Sequence, residues 1–135
     1  FSGIRDLLQR TKNHNIRQAI VTGRAMLHAK YYLNYFAINS FFTDLLVGNT
    51  LEDIKVANIE FLIQKYEYDN SNVIYLGDTL NDVIAAKSAK VTACICLWGK
   101  TKDESKRIIE SNLCDNFFYT VKEFENWLLK GGNDE

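Results

Sequence analysis

The sequence predicts an α/β fold built on a parallel sheet, and three observations carry that expectation. Short apolar runs recur along the chain and read continuously instead of alternating with polar residues. A sheet covered by helices on both faces requires that pattern. Most of these runs stop at glycine, as in Thr22-Gly23, Val47-Gly48, Leu76-Gly77 and Trp98-Gly99. Between the runs lie stretches of helical periodicity, the alternation that produces right-handed βαβ crossovers.

Taken in order, Ile4, Leu7 and Leu8 recur at helical spacing over Gly3–Asn13, with Ser2 placed to cap that helix. A first strand follows near 18–22, centred on Ala19-Ile20-Val21. Met26, Leu27, Ala29, Leu33 and Phe36 mark a second helix, and a looser aromatic patch surrounds Phe41 and Phe42. A short strand at 45–47 breaks at Gly48-Asn49, and the next helix carries Val56, Ile59, Leu62, Ile63 and Tyr66 on one face. The polar stretch Asp69–Asn72 reads as a loop. The β-prone run at 73–76 then leads through Gly77-Asp78 into a helix that ends near Ala89. Strands near 92–97 and 116–119 flank a charged helix around Asp103–Ser111, and Val121–Leu129 closes the chain as an amphipathic helix. The expected architecture is a Rossmann-like parallel sheet with helices on both faces.

Length and composition bound the rest. The chain has 135 residues, one domain's worth, read as a core over 2–130 with a polar tail at 131–135. Hydrophobic residues make up 47% and charged residues 24%, so a real core is expected. A formal charge of −1 provides no broad basic field, which argues against nucleic acid as a partner. No apolar run approaches bilayer length and no signal-peptide pattern is present, so the expectation is a soluble, cytoplasmic protein with no membrane partner. Three cysteines (Cys94, Cys96 and Cys114) and two histidines (His14 and His28) lack the grouping of a zinc site. They read as thiols in a reducing compartment.

In parallel sheets ligands bind beyond the carboxyl ends of the strands, so the residues just after each strand are read for chemistry. Thr22-Gly23 follows the first strand, Lys55 lies at a helix start after the second, and Gly77-Asp78 follows the third, with Asp82 four residues on. A hydroxyl and backbone N–H groups at a strand-to-helix turn can hold a phosphate oxygen. A lysine there is a point charge for the same anion, and a carboxylate at a neighbouring strand end is a hard ligand for Mg²⁺. Singly, each has an ordinary explanation. Thr-Gly makes turns, lysine sits on surfaces, Asp78 or Thr79 caps a helix, and Asp82 complements its dipole. Jointly they describe a phosphate held beside a divalent ion.

These residues carry a family resemblance. The segment from Gly3-Ile4-Arg5-Asp6-Leu7-Leu8 to Ile20-Val21-Thr22 resembles the approach to the second motif of haloacid dehalogenase-like (HAD) hydrolases. Lys55 falls at the family's third-motif lysine. Val73 to Asp82 looks like its fourth motif, Gly-Asp-x-x-x-Asp. The helix through Ala85-Ala86 to Ala89, the strand to Cys96 and Trp98-Gly99 resemble phosphoglycolate phosphatase-like members. The resemblance implies Mg²⁺-dependent phosphoryl transfer through an aspartyl-phosphate. Thr22 and Gly23 would bind the phosphoryl group, with Thr22 and Lys55 as catalytic residues, Lys55 neutralising its charge. Asp78 and Asp82 would serve the metal, and a small phosphorylated metabolite would be the substrate of the complete protein.

One part of the family pattern is absent. No Asp-x-Asp, the first motif that carries the nucleophile, occurs anywhere in the chain, which begins at Phe1. The HAD-like core is therefore expected to be incomplete, without its nucleophile strand and cap. Its Mg²⁺ is expected to be weakly held or absent, the sheet to show a gap or an open edge, and the chain alone to be inactive. The alternative function is a non-catalytic HAD-like binding or interaction domain. Tyr31, Tyr32, Tyr35, Phe41 and Phe42 would then form a partner surface. The expectation is that these aromatics cover the sheet edge or pack in the core. Arg24, beside Thr22-Gly23, reads as solvated. A response-regulator receiver is excluded by order, since Thr22 and Lys55 precede Asp78. P-loop and dinucleotide-binding glycine motifs are absent.

Overall fold

The structure is a computed structural model that describes residues 3–23, 26–48 and 54–131. Ser2 and Arg24, considered above as a helix cap and as a solvated arginine, lie outside the described residues, as does most of the expected 131–135 tail. Helix and strand alternate as the apolar pattern requires. The order is α1 (Ile4–Asn13), β1 (Ala19–Thr22), α2 (Met26–Tyr35), β2 (Asp44–Val47), α3 (Lys55–Tyr66), β3 (Ile74–Gly77), α4 (Leu80–Ser88), β4 (Thr92–Cys96), α5 (Lys102–Glu110), β5 (Phe117–Phe118) and α6 (Val121–Asn126). Single 3₁₀ turns occupy Asn39–Phe41 and Asn70–Asn72, and a π-helical turn, Trp127–Gly131, extends α6.

All described strand pairs are parallel, and the described strands form two sheets, with the gap expected from the absent first motif. β1 pairs with β2, and β3-β4-β5 make the second sheet. The registers run Ala19 opposite Asp44 through Thr22 opposite Val47, and Ile74 opposite Thr92 through Gly77 opposite Ile95. Among the described residues no strand ladder joins β1 to β3. A side chain bridges them instead, the Tyr75 hydroxyl donating to the Val21 carbonyl at 3.0 Å.

Strand residues alternate between two apolar layers. On one face Val73, Tyr75, Ala93, Ile95 and Phe117 pack with Ile59 of α3, Val83 and Ala86 of α4, and Ile108 and Ile109 of α5. On the other, Ile74, Leu76, Cys94 and Phe118 pack with Leu7 of α1, Phe124 of α6 and Trp127. Helices thus cover both faces, as the continuous apolar strands predict. Arg10 of α1 grips the buried carboxylate of Glu125 on α6 through Nε at 2.5 Å and Nη2 at 2.9 Å, fixing those two helices together.

The aromatic patch departs from expectation. Phe41 is buried and Phe42 half-buried, but Tyr31, Tyr32 and Tyr35 stand 62%, 47% and 69% exposed. α2 packs through Ala29 and Leu33, four residues apart on one side, which turns the three tyrosines outward. Tyr31 and Tyr35 stack on each other with centroids 6.1 Å apart.

Candidate functional site

The carboxyl ends of β1 and β3 and the first turns of α3 and α4 meet at one place. β1 ends in Thr22, and Gly23 follows it directly against Lys55. A β-carbon on Gly23 would lie 3.9 Å from Lys55 Cε. Lys55 opens α3 and reaches across to α4, where its ammonium donates to Asp82 Oδ1 at 2.8 Å. The third-strand turn is built around the same carboxylate. Asp82 Oδ2 accepts from the Asp78 N–H at 3.1 Å, the Thr79 N–H at 3.2 Å and the Thr79 hydroxyl at 3.0 Å.

The Thr79 hydroxyl in turn accepts from the Asp82 N–H at 3.2 Å, which completes a reciprocal cap on α4. Gly77 is demanded by this packing: a β-carbon there would sit 2.3 Å from Asp82 Cβ. Asp82 is buried, and burial alone pushes its carboxyl up. The Lys55 hydrogen bond, the Asp78 backbone N–H, the Lys55 charge and Thr79 outweigh that and hold it below the ordinary carboxylate value. It is an anion locked in place beneath Lys55.

Asp78 is placed differently. Its side chain is 63% exposed, and its Oδ2 lies 3.8 Å from Lys100 Nζ, a longer approach than the Lys55–Asp82 bond. Lys100 was not singled out from the sequence. It stands four residues beyond the end of β4, where the rule for strand carboxyl ends also applies, and that position was the available signal. Cys96 adjoins the turn as well, its thiol donating to the Gly77 carbonyl at 3.4 Å. Burial first, and the nearby Asp78 charge second, push that thiol up to about 11. Cys94 is pushed up to about 12, by burial and then by Cys114. Both are poor nucleophiles and poor metal ligands in this state.

Two ammoniums and two carboxylates therefore gather at the strand ends, with the hydroxyl-bearing residue Thr22 at the end of β1. Of the sequence-derived site residues, Thr22, Gly23, Lys55, Asp78 and Asp82 all belong to the segments that meet here. Asp82, expected to serve a metal, is engaged by Lys55 and by the α4 turn. Among the described residues no three His, Cys, Asp or Glu side chains group to hold a metal ion. These residues do not by themselves make a Mg²⁺ site, since one outward carboxylate falls far short of the ion's octahedral oxygen shell. What they do make is a turn-and-lysine arrangement suited to an oxyanion.

Comparison with known proteins agrees with the fold. The sequence profile of the haloacid dehalogenase-like hydrolases matches residues 1–96. A phosphoglycolate phosphatase of Mannheimia succiniciproducens is 30% identical over 101 residues, covering 73% of this chain and 45% of that protein. Phosphoglycolate phosphatase 1 of Pseudomonas aeruginosa is 24% identical over 122 residues, covering 85% of this chain and 45% of its own. The chain thus spans less than half the length of these relatives. In three dimensions, a HAD-superfamily hydrolase of Ehrlichia chaffeensis superposes on 98% of this chain and 58% of its own, with a TM-score of 0.74 at 17% identity. The parallel α/β core and the profile match converge on one assignment: this chain belongs to the haloacid dehalogenase-like hydrolases.

Proposed function

We propose that this chain supplies the phosphate-binding part of a phosphatase acting on a small phosphorylated metabolite, of the phosphoglycolate phosphatase type. The observation that carries the reading is the position of Lys55. Its ammonium is fixed between the end of β1 at Gly23 and the carboxylate of Asp82 on α4. An anion arriving over Thr22-Gly23 meets a positive charge already in place, so little reorganisation is needed when charge builds in the transition state. Thr22 would donate its hydroxyl to a phosphoryl oxygen. Asp82 acts as a positioning residue that aims Lys55 and shapes the turn. Asp78 would offer one oxygen to a Mg²⁺ whose other ligands come from elsewhere, and that ion would screen the phosphoryl charge when bound.

The covalent step needs a carboxylate that attacks phosphorus as the bond to the leaving alcohol oxygen breaks, followed by water on the acyl-phosphate. The sequence holds no Asp-x-Asp to provide it. These 135 residues by themselves are expected to bind phosphate without turning over phosphate esters. Titration with inorganic phosphate, followed by ³¹P line broadening, tests the reading. Binding should be lost in Lys55→Ala and weakened about tenfold or more in Asp82→Asn, which leaves Lys55 unanchored. Phosphate binding that survives Lys55→Ala would refute the site. Metal-dependent ester hydrolysis abolished by Asp78→Ala would refute the expected inactivity.

A further inference from the structure

Beyond the ends of β4 and β5 lies a cavity of about 590 Å³, between the loop 97–100, one face of α5 and Tyr119. Its wall on α5 is formed by Lys102, Ser105, Lys106, Ile109 and Glu110, spaced three and four apart so that they make one stripe of the helix. The loop adds the ring of Trp98 and the side chain of Lys100. Three lysines thus meet one carboxylate, in a protein whose formal charge is −1.

This positive charge is not neutralised from within. Lys100 makes only the long approach of 3.8 Å to Asp78 Oδ2, and among the described residues no carboxylate lies within ion-pair distance of Lys102 or Lys106. Glu104 turns its carboxylate to the Thr101 N–H in the cap of α5. Lys102 opens that helix, where a cation opposes the macrodipole and works against folding. Ser105 supplies a second observation. It is 8% exposed, its N–H bonds the Thr101 carbonyl, and its hydroxyl has no hydrogen-bond partner among the described residues. Buried hydroxyls are ordinarily paired. Every fully enclosed side-chain polar atom described is paired, so this hydroxyl is open to the cavity that Ser105 lines.

We propose that this cavity binds a nucleoside diphosphate. The excess of ammonium groups calls for a polyanion, and lysine serves phosphate as a point charge. Lys100, Lys102 and Lys106 take the phosphate oxygens, and the Ser105 hydroxyl donates to one of them. The rings of Trp98 and Tyr119 give the planar apolar surface on which a base stacks. Glu110, at the end of the stripe away from Lys102, accepts from an N–H or O–H of the nucleoside. The volume falls within the range of about 300–1,000 Å³ that suits a small organic ligand. Lys102, Ser105 and Lys106 have no part in the phosphatase reading, so the proposal stands independently of it.

The test titrates the ¹⁵N-labelled chain with ADP in the absence of divalent ions, and in parallel with pyrophosphate. The two tryptophans give two indole N–H signals, one from Trp98 in the cavity and one from Trp127, which packs on Phe118 and Phe124. ADP should shift the Trp98 indole and the Ser105 amide with a Kd below about 1 mM, leaving the Trp127 indole in place. Lys102→Glu and Lys106→Glu together should weaken binding about tenfold or more. Both lysines are exposed and a glutamate in the first turn suits the macrodipole, so the fold is kept. Ser105→Ala should weaken binding several-fold. Pyrophosphate, which has the charge without the ring, should bind several-fold more weakly than ADP. Lys55→Ala should leave ADP binding unchanged, which separates this proposal from failure of the phosphate site. No shift at about 5 mM ADP, an affinity untouched by the paired charge reversal, or binding lost in Lys55→Ala would overturn the proposal. Equal affinity for pyrophosphate would overturn the nucleoside as the ligand.

Discussion

The two sheets are made from similar sequence and end in different states. Ala19-Ile20-Val21 and Leu45-Leu46-Val47 are about as apolar as the run from Ala93 to Leu97. Yet Cys94 and Ile95 of β4 are 1% and 0% exposed, while no residue of β1 or β2 is fully buried. β4 has a strand on each edge and a helix layer on each face. Among the described residues β1 has a strand on one edge and none on the other. Burial of a strand is thus set by its neighbours, and hydrophobicity only makes it possible.

The largest expected effect separates the two halves directly. Ile95→Ala should cost about 3 kcal/mol in denaturant unfolding, because its site is closed on all sides. Val21→Ala, half-buried on a strand with one described neighbour, should cost about 1 kcal/mol or less. Equal costs would mean that the halves are packed alike. Next comes Gly77→Ala, whose β-carbon would collide with Asp82 Cβ. About 2 kcal/mol of stability should be lost through overpacking, together with the aim of Lys55 and hence phosphate binding.

A smaller effect lies on β2. Burial pushes the Asp44 carboxyl up, but hydrogen bonds from Lys65, Thr43 and Tyr66, with the Lys65 charge, bring it from its ordinary 3.8 down to about 2. A carboxyl depressed by folding stabilises the protein above its unfolded value and loses that contribution as the pH falls. The chain should therefore lose stability between about pH 4 and pH 2, with Asp82 contributing in the same direction. Asp44→Asn should cost about 1–2 kcal/mol at neutral pH and flatten that acid slope. An unchanged slope in thermal unfolding at stepped pH would show that Lys65 and Tyr66 do not hold Asp44 in solution. The smallest effect belongs to the outward face of α2: Tyr35→Ser should shift stability by less than about 0.5 kcal/mol. A larger loss would mean that the tyrosine stack is structural.

Much of the architecture was legible because the apolar runs are short, continuous and punctuated by glycine. Strands expected near 73–76 and 92–97 appear at Ile74–Gly77 and Thr92–Cys96. β2 begins one residue earlier than its apolar signal, at Asp44, whose carboxylate is held by Lys65 and Tyr66 from α3, a partner set no local pattern announces. The strand-end rule singled out Thr22, Lys55 and Asp78, and the structure brings the segments that carry them together. It passed over Lys100, whose relevance depends on where the turn after β4 brings its ammonium. The roles of the two acids in Gly-Asp-x-x-x-Asp were also not separable from spacing. Asp82 faces inward to Lys55 because the Thr79 cap turns it there, and Asp78 faces outward.

The sequence by itself determined the alternation of helix and strand, the parallel pairing that follows from it, and the residue types at the strand ends. These depend on local periodicity and turn chemistry. The gap between the two sheets was expected from the absent first motif; only the tertiary structure decided that the α2 tyrosines face outward and that Asp82 clamps Lys55. Those outcomes depend on which neighbour occupies each edge and each hydrogen-bonding group, and occupancy is a property of the folded assembly of elements, beyond any one segment.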